Sequence, residues 1–176
     1  MLFFTFWVLG VALIVVQTTL LQSLPLWLGR PDFLYILVTF IAYRFPWIPG
    51  IILVFSLSWI MDVVGGIYLG LYPMMCLLTF AGLRLLTNKS PIKESTYQIP
   101  LVGLSYFLVQ ILFYFIYSLT LPEDLPEWSW GLTLQRTALL VVAAIPLFLL
   151  FMSLHEYFLK RRLRAKTLRR RPRKSI

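Results

Sequence analysis

Apolar residues in this chain come in long runs rather than in the mixed periodic patterns of a soluble domain. Six runs stand out, at residues 2–24, 33–45, 49–64, 67–86, 97–121 and 132–159. Turn residues separate them: Pro25 and Pro31, then Pro46 and Pro49, then Gly65-Gly66, then an acidic loop holding Pro122 and Pro126. An apolar run of about twenty residues is long enough to cross the roughly 30 Å hydrocarbon core of a bilayer as a helix. The pattern predicts an all-α polytopic membrane protein with about six transmembrane helices in one domain.

The six runs are not alike. The second holds thirteen residues, a rise of only about 20 Å. Either Arg44 snorkels while the bilayer thins, or the span begins earlier, or it is re-entrant. Asp32 follows Pro31 and is a helix-start signal. Pro73 predicts a kink in the fourth run. The first run has no small-residue cleavage site before its polar end and reads as a retained anchor.

Composition agrees with the pattern. The chain is 60% hydrophobic and 13% charged, with mean hydropathy +0.83. Soluble domains are about 25% charged. Charge then fixes orientation. Ten of the sixteen Lys and Arg residues fall in the last seventeen positions, with no acid among them. They are Lys160, Arg161, Arg162, Arg164, Lys166, Arg169, Arg170, Arg171, Arg173 and Lys174. A basic segment beside a span marks the cytoplasmic side. The division is thus a six-span domain, residues 1–159, and a basic cytoplasmic tail, residues 160–176. With six spans both termini are cytoplasmic. Fourteen bases then lie inside (Arg44, Arg84, Lys89, Lys93 and the ten of the tail) against two outside, Arg30 and Arg136.

Few residues could carry chemistry. Asp62 lies in an apolar span, where a charge costs about 2.5–3.5 kcal/mol at the helix centre. It either shares a polar cluster with Arg136, or caps the Gly65-Gly66 turn, or relays protons. Gln17 and Gln110 are interhelical packing groups or contacts to a partner's transmembrane helix. His155 is the sole histidine, and with no second one it forms no two-histidine metal motif; it reads as a solvated interfacial residue. Cys76 is the sole cysteine, so no internal disulfide and no thiolate metal site can form. No triad, phosphate loop or dinucleotide motif is present. The chain reads as a non-enzyme with no catalytic residues, cofactor or metal. The tail serves topology and touches anionic lipid; docking to an acidic cytoplasmic protein is a second reading. Nucleic acid is disfavoured because no aromatic residues interleave the bases.

The order of motifs resembles a known family. Gln17-Thr18-Thr19 is followed by Arg30-Pro31-Asp32, a short span ending at Arg44, the segment Ile60-Met61-Asp62, and then Leu69-Gly70. This run, with the chain length and the basic C-terminus, is similar to the rod shape-determining MreD family. That family has a Gln-Ser/Thr pair in its first span, a Pro-Asp turn, and a Gly-Leu-x-x-Asp motif before a Leu-Gly. This chain departs in having Ser58-Trp59 where the family has Gly-Leu. The resemblance implies a non-enzymatic scaffold of the bacterial inner membrane. It further implies a bitopic partner, MreC, and work alongside RodA, a class B penicillin-binding protein and the MreB filament. The implied fold resembles the six-helix substrate-binding subunit of energy-coupling-factor transporters. The competing class is a vitamin-binding subunit of such a transporter. Against it, the first span lacks the Ala-x-x-x-Ala spacing used there for docking, since Ala12 is followed four residues on by Val16.

Overall fold

The computed structural model describes residues 2–19, 31–65, 70–89, 95–120 and 128–169. These residues form six helices: α1 (Leu2–Thr19), α2 (Phe33–Arg44), α3 (Trp47–Gly65), α4 (Leu71–Lys89), α5 (Ser95–Thr120) and α6 (Trp130–Arg169). Four of them, α1, α3, α5 and α6, are long and apolar enough to cross a membrane, and α2 and α4 are shorter apolar helices. The chain is a multi-pass membrane protein.

The short second helix is the centre of the bundle. Every residue from 34 to 42 is buried. Helices α1, α3, α4 and α6 pack against α2, and α5 reaches it through a bond between the Tyr35 and Ser105 hydroxyls at 3.0 Å. The other five helices carry the lipid-facing surface. Phe4 and Val8 on α1, Ile52 and Trp59 on α3, Leu104 and Phe115 on α5, and Val142 and Leu149 on α6 all stand exposed. This resolves the length puzzle of the second run. A helix sheathed by protein need not match the thickness of the bilayer, so neither thinning nor snorkelling has to be invoked.

Apolar packing alone drives helices together weakly when the surroundings are apolar too, so close backbone approach and internal hydrogen bonds matter more. Gly10, Gly50 and Gly103 mark the close approaches. A Cβ on Gly103 would lie 2.5 Å from Cγ2 of Val141, across the α5–α6 contact. At one end of the bundle Phe6 stacks on Phe40 with centroids 5.6 Å apart, and Phe45 sets its edge on Phe6 at 5.1 Å.

Several expectations need correction. Pro73 is the third residue of α4, in the first turn, where its missing N–H breaks no bond; it starts the helix rather than kinking it. The prolines inside helices are Pro100 and Pro146. His155 is not freely solvated: its ring lies 6.1–6.3 Å from those of Phe6, Phe40 and Phe45. Helix α6 runs past residue 159 to Arg169 without a break.

Candidate functional site

A helix as short as α2 ends inside its own bundle. Its first four N–H groups and last four carbonyls have no partner within the helix, and in a bilayer water does not reach them cheaply. Borrowed side chains meet the need at the Asp32 end. Gln17 Oε1, from the last turn of α1, accepts from the Phe33 N–H at 3.1 Å and the Leu34 N–H at 3.3 Å. Asp32 is the N-cap, and its Oδ1 accepts from the Tyr35 N–H at 3.0 Å. The Ile36 N–H donates to the Asp32 carbonyl at 3.4 Å. All four orphan donors are thereby satisfied.

The cap is itself held. Gln17 Nε2 donates to Asp32 Oδ1 at 3.3 Å. The Tyr72 hydroxyl, from the first turn of α4, donates to Asp32 Oδ2 at 2.7 Å. One carboxylate and one amide therefore tie α1, α2 and α4 together. At the other end Arg84, from α4, donates through Nη1 to the Ala42 carbonyl at 2.9 Å, and the Phe45 N–H closes on the Ile41 carbonyl at 2.9 Å. An anion at the start of α2 and a cation at its end both complement the helix dipole. Inside the helix the buried Thr39 hydroxyl donates to the Ile36 carbonyl at 2.7 Å, so it too is satisfied.

The residues singled out in the sequence fall into place unequally. Gln17 is a capping group, a more specific role than general packing. Gln110 on α5 reaches the Tyr106 hydroxyl, and the Tyr106 ring meets the Tyr35 ring edge-on at 5.0 Å. Asp62 is buried, and its Oδ2 accepts from the Gly70 N–H. It thus clasps the connection between α3 and α4, where Gly70 takes a positive φ of 97° that glycine tolerates best. Arg136 is exposed on α6. No ion pair joins it to Asp62 among the described residues, and α3 and α6 are not packing neighbours. Asp62 therefore bonds to Gly70 rather than to Arg136, and the Gly65-Gly66 turn it was expected to cap runs into residues 66–69, outside the described residues.

In the tail, Lys160 pairs with Glu156 at 3.3 Å on exposed α6 surface, and Arg161 is exposed. Arg162, Arg164, Lys166 and Arg169 continue the helix. Arg170, Arg171, Arg173 and Lys174 lie outside the described residues.

Sequence reasoning took Asp32 only as a start signal and gave no role to Tyr72 or Ser105. The available clue was a glutamine near the end of one apolar run facing an Asp-capped start of the next, because a short helical run needs donors capped from outside. Among the described residues no cluster of three or more His, Cys, Asp or Glu side chains could hold a metal ion. The arrangement joins helices. No protein-family model, curated protein or solved structure matches the chain.

Proposed function

We propose that the protein is a non-enzymatic scaffold of the bacterial inner membrane, of the rod shape-determining MreD type. In this reading it binds the bitopic protein MreC and couples the MreB cytoskeleton to peptidoglycan synthesis by RodA and a class B penicillin-binding protein. One observation carries the reading. Gln17, Asp32, Asp62 and Gly70, the positions through which the sequence resembles that family, are the ones whose polar bonds join α1 to α2 and α3 to α4. Motif residues used as joints suit a rigid platform. The exposed apolar faces of α1, α3, α5 and α6 suit contact with a partner's single helix, which associates by packing and small-residue approach. The six-helix architecture fits the fold expected for the family, that of energy-coupling-factor substrate-binding subunits. The basic tail suits cytoplasmic placement of both termini.

A second reading, a vitamin-binding transporter subunit, draws on the hydroxyl-bearing contact of Tyr35, Ser105 and Tyr106 between α2 and α5. Depletion in the source cell separates the two. The scaffold reading predicts that rod-shaped cells round up and recover when the wild-type gene is restored. Unchanged shape with loss of uptake of a vitamin contradicts it.

A further inference from the structure

Helix α6 is far longer than a span requires. Its 40 residues rise about 60 Å, twice the hydrocarbon thickness of roughly 30 Å. The ring contact of His155 with Phe45, just past the end of α2, sets the level on α6 at which α2 ends; α4 runs on from Arg84, which bonds the Ala42 carbonyl, to Lys89, a further rise of about 8 Å. Fourteen residues of α6 lie beyond that level, from Glu156 to Arg169, a further rise of about 21 Å. The headgroup layer accounts for only about 5–8 Å of this on each side. By rise, Lys160 and Arg161 stand about 8 and 9 Å past His155. By rise alone, Arg164, Lys166 and Arg169 stand about 13, 16 and 21 Å past His155. A Debye length of about 8 Å at physiological salt screens the lipid charge there.

We propose that α6 acts as a stiff arm that holds its distal bases off the membrane for docking to an acidic protein surface in the cytoplasm. Charge complementarity selects the occupant. The only acid from Glu156 to the chain end is Glu156 itself, and it is paired with Lys160. A second copy of the same arm is repelled. Nucleic acid lacks stacking partners, since the last aromatic residue is Phe158. Helix continuity is the device: a flexible tail of equal charge collapses onto anionic lipid at about 1 kcal/mol per base, whereas a continuous helix withholds it. This inference depends only on the tail facing the cytoplasm and holds whether or not the protein belongs to a rod complex.

The test uses the full chain in lipid nanodiscs, of phosphatidylcholine alone or with phosphatidylglycerol added. A spin label is placed by Thr167→Cys; Cys76 is buried and stays unlabelled. The label should collide freely with a water-soluble nickel relaxant, equally in both lipids. Leu163→Pro keeps all ten bases and breaks the helix; its label should become protected in the anionic discs alone. A fluorescent glutamate-rich peptide should bind the wild type in anionic discs. The combined variant Arg164→Gln, Lys166→Gln, Arg169→Gln should bind it about tenfold more weakly, three charge pairs being lost. Protection of the wild-type label by anionic lipid overturns the proposal in favour of a membrane-bound tail. Tighter binding of a single-stranded oligonucleotide of equal charge overturns it in favour of nucleic acid. Equal peptide affinity of the wild type and the triple variant overturns it as well.

Discussion

Replacing Gln17 by Met tests the capped central helix most sharply. Methionine has nearly the same length and flexibility, so packing changes little. The amide's three hydrogen bonds disappear: two accepted from the Phe33 and Leu34 N–H groups and one given to Asp32. Leaving a buried donor unsatisfied costs about 1–3 kcal/mol. Two such donors, with bonds of 3.1 and 3.3 Å, give a loss of about 2–6 kcal/mol. A glutamine serving only as interhelical glue contributes about 0.6 kcal/mol on average. The two accounts therefore differ severalfold. The assay is reversible unfolding in mixed micelles, titrated with a denaturing detergent and followed by helical circular dichroism. A loss below about 1 kcal/mol would refute the capping account, because the Phe33 and Leu34 N–H groups would then be finding partners without Gln17.

Other substitutions probe the remaining joints in the same assay. Arg84→Met uncaps the Ala42 carbonyl and should cost about 1–3 kcal/mol; wild-type stability would mean that this carbonyl finds another donor. Asp62→Leu should cost a similar amount by freeing the Gly70 N–H, while Arg136→Gln, at an exposed site, should stay within about 0.5 kcal/mol; equal losses would revive the Asp62–Arg136 cluster. Gly103→Ala should destabilise by about 1–3 kcal/mol, because its Cβ meets stiff, β-branched Val141 at 2.5 Å. Gly82→Ala, with nothing within 4 Å of the new Cβ, should stabilise by about 0.5–1 kcal/mol through helix propensity alone; the same sign for both glycine substitutions would contradict the packing described.

The helices were legible because apolar runs and turn residues are local signals. The start of α2 at Phe33 followed from Pro31-Asp32, and its length followed from the run itself. Why α2 is short was not legible, because sheathing by five other helices is a property of the whole bundle. The Gln17 cap was half visible: a polar residue in an apolar run signals a partner, but its target lies sixteen residues away on the next helix. Tyr72 and Ser105 gave no signal, since hydroxyl-bearing residues are common in such spans. The Asp62–Arg136 pairing rested on similar depth alone, and depth does not fix which helices are neighbours. The charge change at Lys160 marks where the apolar surface stops but carries no signal for the end of the helix, since Lys and Arg are good helix formers and the backbone continues to Arg169.

Affinity purification of the tagged protein from membranes of its own cell, in mild detergent, tests the scaffold reading most directly. Mass spectrometry of the bound material should identify a bitopic MreC-type protein together with a class B penicillin-binding protein. Paired cytoplasmic ATPases with a coupling membrane subunit, and a vitamin retained on the protein, would contradict the scaffold and establish transport instead.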